Sequence, residues 1–238
     1  MKKRNIKLFF IFILVIMIAL SLFYLYQNRS ELLGLNTEVE VPFVKGEEKE
    51  PDYSWAHRLF DANKEINADY IAQFRFESGL IDERVVRAED YEEYLHTDFE
   101  TLEYNINGTV FMDPNATLDS QNITLYGHNR SWWAPPLMFT KLHELEDEAN
   151  YEANKYIDMV FENEIRRYVV AHVYNIAIDE DNAVSPVEEG MEYMFPEFDD
   201  ESLEYYINGI EKKEFYDTGV DIKPGDKFIT FQTCVLYR

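Results

Sequence analysis

The chain of 238 residues has little cysteine, glycine, proline or basic charge. Its single cysteine excludes an internal disulfide framework and any zinc site built on several thiolates. With 9 Gly and 8 Pro, the sequence contains no low-complexity tract or internal repeat. The 22 Lys and Arg residues face 46 Asp and Glu residues, a formal net charge of −24. This acidic excess argues against nucleic acid as a partner, because phosphates would be repelled.

Hydrophobic residues make up 46% of the chain and aromatic residues 16%, which is enough to build a core and argues against general disorder. The length fits one domain, or one domain with an anchor.

The N-terminus carries the membrane signal. Residues 1–7 contain four basic residues, and residues 8–26 contain no charge. As a helix, this run spans roughly 28 Å, close to the hydrocarbon thickness of a bilayer. We therefore predict a cytoplasmic basic segment (1–7), a single-pass transmembrane anchor (8–26) and an extracellular remainder. The small-x-small triplet Ala19–Ser21 makes a cleaved signal peptide the alternative, but it lies inside an apolar run longer than a usual signal core.

The rest of the chain divides into a charged stalk, residues 27–50, and one domain, residues 51–238. Many short strands with irregular turns and few helices predict a mainly β fold, a closed β-barrel decorated with helices. Hydrophobic periodicity, capping and turn residues predict these elements: helices at 53–66, 90–95, 137–153 and after Asp199–Asp200, and strands at 70–76, 85–86, 109–112, 123–126, 156–161, 167–176 and 227–233.

Two residues that could take part in catalysis follow predicted strands. His128 comes after the strand 123–126, and Cys234 comes directly after the strand 227–233. Side chains alternate along a strand, so Cys234 falls on the polar side, away from Ile229 and Phe231. A free thiol in an exported protein is exposed to oxidation without a partner. A buried inert thiol and a nucleophile with a histidine base both remain open at this point.

Around these two residues the sequence resembles the sortase family of cysteine transpeptidases, most closely class B. The resemblance covers about residues 55–234. It is carried by Gly108–Asp113, Asn122–Asn129, Met138–Leu142, Phe215–Val220 and Phe228–Cys234, in that order, with an amphipathic helix before the cysteine strand.

The resemblance implies acyl transfer without a cofactor. Cys234 would attack a peptide carbonyl in the sorting motif of an exported protein, and His128 would protonate the leaving amine. An amine on a cell-wall precursor or another protein would then resolve the thioacyl-enzyme. The expected partners are therefore a surface protein bearing the motif and an amine acceptor, at the outer face of the cell membrane.

The sequence departs from the family after the cysteine. Sortases carry a catalytic arginine on the next strand, about eight to ten residues further on, whereas here Arg238 follows Cys234 by four. Either Arg238 takes that role from an unusual position, or the last strand is missing. The second alternative predicts an open sheet edge beside the cysteine strand and an impaired, truncated remnant. A cysteine peptidase that hydrolyses without transfer is a further alternative.

Other residues near these motifs are given structural interpretations. We expect Arg130 to be a surface loop residue, and His172 to be a satisfied histidine within a strand. Trp132 and Trp133 fit either a groove rim or packing on the neighbouring helix. The remaining histidines have no metal-ligand spacing and are predicted to lie on the surface: His57, His96 and His143.

Overall fold

The computed structural model describes residue 17 and residues 53–129, 138–176 and 195–233. Apart from Met17, these residues belong to the compact unit Asp52–Arg238. They form three α-helices, two 3-10 helices and seven strands: α1 (Ser54–Ile66), β1 (Tyr70–Phe76), β2 (Asp82–Arg87), β3 (Val110–Met112), β4 (Asn122–Tyr126), 3-10 helices Phe139–Glu146 and Glu148–Asn150, α2 (Tyr151–Asn154), β5 (Tyr156–Val160), β6 (Ile165–Val169), α3 (Asp200–Glu211) and β7 (Phe228–Gln232).

The predicted anchor, residues 8–26, lies outside the described residues except for Met17. Among the residues that the structure describes, none of the helices has the length and apolar character needed to span a bilayer.

The strands form one sheet in the order β6-β5-β1-β2-β3-β4-β7. Neighbours are antiparallel except for two parallel pairs, β2 with β3 and β4 with β7. Parallel neighbours cannot be joined by a tight hairpin, so each of these pairs needs a crossover connection. The crossover from β2 to β3 is residues 88–109, and it supplies part of the site described below.

The sheet curls strongly on itself. β1 and β7 are four strand spacings apart in the order, which would be roughly 19 Å in a flat sheet. The rings of Phe74 on β1 and Phe231 on β7 nevertheless lie 4.9 Å apart, centroid to centroid. The described residues therefore form a mainly β barrel. This confirms the predicted fold class, except that the barrel is nearly closed instead of closed. The two end strands, β6 and β7, are not hydrogen-bonded neighbours within the described part.

Alternation along β4 and β7 sorts their side chains as predicted. Ile123 and Leu125 are buried in the barrel core, and Ile229 and Phe231 pack against the same core. Phe228 contributes to the cluster beneath α3. The spacing i, i+3, i+4, i+7 predicts an apolar stripe on α3 at Leu203, Tyr206, Ile207 and Ile210. Three of these residues are buried, and Ile207 packs partly buried against them, which confirms the stripe.

Three predicted elements differ in the structure. Residues 91–95 form turns instead of a helix, and the Asp90 carboxylate accepts from the amides of Glu92 and Glu93. The segment 138–154 is helical but mainly 3-10, and it breaks at Asp147, whose side chain accepts from the Ala149 amide. The strand predicted at 167–176 is Ile165–Val169, because the tight turn after Phe161 starts the pairing at once.

Candidate functional site

His128 lies two residues beyond the end of β4, next to the end of β7. The two strands are parallel, and each β4 residue pairs with the residue 106 positions later, from Asn122 with Phe228 to Tyr126 with Gln232. The Gly127 amide continues this ladder by donating to the Gln232 carbonyl at 3.2 Å. The last described residues of the β7 segment therefore lie beside the backbone that leads into His128.

A backbone carbonyl sets the proton position on the half-buried His128 ring. Nε2 of His128 lies 2.9 Å from the carbonyl oxygen of Leu95. A carbonyl only accepts hydrogen bonds, so Nε2 is the donor and carries the proton. In the neutral imidazole the lone pair is then on Nδ1, which is the nitrogen able to take up a proton.

The Leu95 carbonyl is held in place by a glycine in the same crossover. Gly108 has φ +62°, and a Cβ built on it would lie 2.3 Å from the oxygen of Leu95. Thr109, which follows, donates its amide to the Tyr94 carbonyl at 3.0 Å. Only glycine combines this backbone conformation with so close an approach. The pair Asn107-Gly108 is a turn signal in the sequence, and the structure adds the contact of Gly108 with the acceptor of His128.

The ring of His96 is a nearly parallel neighbour of the His128 ring. The ring centroids are 5.3 Å apart and the planes differ by 15°. His96 is half-buried, and its Nδ1 has no hydrogen-bond partner among the described residues. The prediction that His96 is a surface residue is therefore wrong. The two histidines are 32 residues apart in sequence. No local sequence pattern predicts that the β2–β3 crossover brings them together.

The backbone on the other side of His128 is packed against a buried ring. A Cβ built on Gly127 would lie 2.9 Å from two ring carbons of Phe139. Phe139 is fully buried in the barrel core, and its amide donates to the His128 carbonyl at 3.3 Å. Gly127 thus allows the chain to pass over this ring on its way from β4 to His128.

A polar chain supports the residue after His128. The amide nitrogen of the Asn129 side chain lies 2.5 Å from Nε2 of His143, and Nδ1 of His143 lies 2.5 Å from a carboxylate oxygen of Glu146. Asn129 also forms a β-bridge with Met138. His143 was predicted on the surface, but it is a partly buried link between the 3-10 helix Phe139–Glu146 and the loop that carries His128.

The other predicted site residues are placed as follows. Cys234 and Arg238 lie outside the described residues, as do Arg130, Trp132 and Trp133. His57 is exposed on α1, as predicted. His172 lies just after β6 instead of within a strand, and its Nδ1 is 2.9 Å from the Glu214 carboxylate. Within the described ranges, no three His, Cys, Asp or Glu side chains are grouped as they would be around a metal ion.

Comparison with solved structures identifies the architecture. A cysteine-to-serine mutant of Clostridium perfringens sortase B matches with a TM-score of 0.66 and 26% identity, over 78% of this chain and 83% of that one. Another structure of C. perfringens sortase B matches with a TM-score of 0.60 and 27% identity, over 74% and 90%. The chain has a class B sortase fold.

A more distant structure has the same sortase B fold. A Staphylococcus aureus sortase B–substrate complex matches with a TM-score of 0.62 and 21% identity, over 75% of this chain and 77% of that one. No family model matches the sequence, and no curated protein matches it significantly.

Proposed function

We propose that this protein is a sortase: a cysteine transpeptidase that cleaves a sorting motif in exported proteins and transfers them to an amine. The observation that carries the proposal is the register of β4 and β7. The last described pair in this register is Tyr126 with Gln232, and we propose that Cys234, two residues further on, faces His128 in the same register. Directly opposite residues of neighbouring strands are about 5 Å apart, which suits a nucleophile and its acid–base partner.

The tautomer of His128 determines which of its ring nitrogens exchanges the proton with Cys234. With Nε2 donating to the Leu95 carbonyl, Nδ1 is the atom that exchanges the proton. A free thiol has a pKa of about 8.5, so a neighbouring imidazolium is needed to favour the thiolate at neutral pH. The same Nδ1–H would protonate the amine that leaves when the peptide C–N bond breaks and the thioacyl-enzyme forms, and Nδ1 would then accept the proton of the incoming amine.

A positive group is needed for the oxyanion that develops on the attacked carbonyl. Arg238 is our candidate, because the family uses an arginine that follows the cysteine. Removal of one oxyanion donor typically costs about 10²–10³ in rate. We therefore expect Arg238→Ala to lower the rate of thioacyl formation by about 10²-fold. An unchanged rate would exclude Arg238 from the reaction.

The partners follow from the same chemistry. Related sortase B structures have been solved with a substrate and with triglycine, a peptide that carries a free amine. For this chain we propose an exported protein with a sorting motif as acyl donor, and an amine of a cell-wall precursor or of another protein as acceptor.

We also propose that residues 8–26 anchor the enzyme in the cell membrane, with residues 1–7 in the cytoplasm and the catalytic domain outside. Protease treatment of intact cells should digest residues 51–238 and spare an N-terminal tag. Protection of the domain would contradict this orientation.

The reaction can be tested with the full chain in detergent micelles, a random peptide library and hydroxylamine as the amine. Transfer yields peptide hydroxamates, whereas hydrolysis that is unaffected by hydroxylamine indicates a peptidase. Cys234→Ala should abolish both the thioacyl adduct and the hydroxamates. His128→Ala should abolish turnover while the protein stays folded, and His57→Ala, at an exposed histidine of α1, is the matched control.

Two results would count against the proposal. Hydroxamates formed by Cys234→Ala would exclude Cys234 as the nucleophile. Absence of any adduct from the folded wild-type chain across the library would favour a binding protein that has lost the reaction.

A further inference from the structure

Two consecutive residues of the β2–β3 crossover hold the His128 ring. The Leu95 carbonyl accepts from the ring edge at Nε2, at 2.9 Å. The imidazole of His96 is its nearly parallel neighbour, with centroids 5.3 Å apart and planes within 15°. The hydrogen bond alone permits the ring to tilt about the Nε2–oxygen direction, whereas a parallel neighbouring ring limits that tilt. The two neighbours thus act on different motions of the ring.

His96 is itself tied to its loop. Its carbonyl accepts from the Asn105 amide at 2.7 Å, and its ring lies 5.7 Å from the ring of Tyr104. The next residue, Thr97, bridges to Tyr104, and its carbonyl accepts from the Thr109 hydroxyl at 2.7 Å. The imidazole of His96 is therefore presented to His128 by a backbone with several internal hydrogen bonds.

The role inferred for His96 belongs to its flat ring and not to its nitrogen atoms. Nδ1 of His96 is buried and has no hydrogen-bond partner among the described residues, so it bears a desolvation cost without a compensating bond. A phenyl ring would be the same parallel neighbour without that cost. The contact with His128 offers a reason for the aromatic ring that goes beyond filling space.

We propose that His96 is a positioning residue for the reaction. Its ring face keeps His128 in the orientation in which Nε2 donates to Leu95 and Nδ1 remains the proton-exchanging atom. The inference rests on the proposed function for its effect on turnover, but its effect on the tautomer of His128 does not depend on that function. His96 acts through His128 and needs no contact with the peptide.

The test uses the full chain in detergent micelles, with histidine labelled by ¹⁵N. Long-range ¹H–¹⁵N spectra report which ring nitrogen carries the proton, and His128→Gln assigns the signals. The wild type should show His128 protonated at Nε2. His96→Leu fills the space without an aromatic face, and His96→Phe restores the face. His57→Leu, at an exposed histidine, is the matched control.

We expect His96→Leu to give mixed His128 tautomers and to lower kcat about 10-fold or more, with KM little changed, because misplaced catalytic groups lose rate. His96→Phe should keep the wild-type tautomer and stay within about threefold of the wild-type kcat. A wild-type tautomer and kcat in His96→Leu would overturn the proposal, and so would mixed tautomers in His96→Phe. If no variant or wild type turns over, the proposed function fails, while the tautomers still decide the role of His96.

Discussion

The carbonyl oxygen of Leu95 lies 2.9 Å from Nε2 of His128, and Gly108 lies directly against that same carbonyl. The ring edge of His128 thus contacts the main chain of a crossover loop.

Gly108→Ala should therefore damage both stability and the site. The added Cβ would meet the Leu95 oxygen at 2.3 Å, and alanine at φ +62° is strained as well. We expect a loss of about 3 kcal/mol or more in the free energy of unfolding, measured by urea denaturation. The His128 Nε2–H signal should also change in ¹⁵N spectra, because its acceptor has moved.

Gly225→Ala is the matched control for this substitution. Gly225 also has a positive φ, +88°, but a Cβ there has no atom within 4 Å. Gly225→Ala should lower the free energy of unfolding by about 1 kcal/mol, the cost of the backbone conformation alone, and should leave the His128 signal unchanged. Equal losses for the two variants would mean that the contact with Leu95 contributes nothing.

A second prediction concerns the approach of Gly127 to Phe139. Gly127→Ala places a Cβ 2.9 Å from a fully buried ring, so we expect a loss of about 1–3 kcal/mol and a displaced His128. Phe139→Leu alone should also destabilise the folded protein, because the smaller side chain leaves a cavity. In the double variant the smaller leucine accommodates the new methyl group, so the two losses should not add. Additive losses in a double-mutant cycle would exclude this contact as the cause.

The sequence predicted the elements that local patterns determine. The stripe of α3 and the alternation of β4 and β7 are short-range signals. The stripe is confirmed by burial, and the predicted inward residues of both strands belong to the barrel core, although the opposite face of β4 is buried as well. The helix predicted at 90–95 is wrong: residues 91–95 form turns, although the Asp90 carboxylate accepts from the amides of Glu92 and Glu93 as a helix cap would.

Such short-range patterns do not predict which residues surround His128. Leu95 and His96 reach it only because β3 pairs in parallel with β2, which turns their connection into a crossover beside the end of β4. The Glu146–His143–Asn129 chain likewise depends on where the 3-10 helix packs. The role of His128 was suggested by a motif, whereas its supporting residues follow from the topology of the sheet.

A third prediction concerns Leu102, which has φ +57° although it is not glycine. Its side chain is mostly exposed, so little packing is lost if it is removed. Leu102→Gly should stabilise the protein by up to about 1 kcal/mol, because glycine adopts this conformation without strain. Leu102→Ala retains the Cβ and should give no such gain. A loss of stability in Leu102→Gly would show that the greater freedom of the unfolded chain outweighs the strain.

The last prediction concerns acid pH and the loop that follows His96. Burial tends to raise the pKa of the Asp98 carboxyl, but hydrogen bonds from Thr101, Asn105 and the Glu100 amide outweigh it and hold the pKa below its ordinary value of 3.8. A carboxyl whose folded-state pKa is depressed contributes stability above its unfolded pKa, and this contribution is lost as pH falls through the folded value.

Asp98→Asn should therefore be less stable than the wild type at about pH 5–7, and the gap should narrow below about pH 4 as Asp98 becomes protonated in the wild type. Urea denaturation at a series of pH values from about 7 down to about 3 measures this gap. Asp61→Asn, which removes one exposed carboxylate from α1, reports the effect of lower net charge alone and is subtracted. A gap that stays constant or widens towards the acid end of the series after that subtraction would show that the ionised Asp98 does not hold the loop.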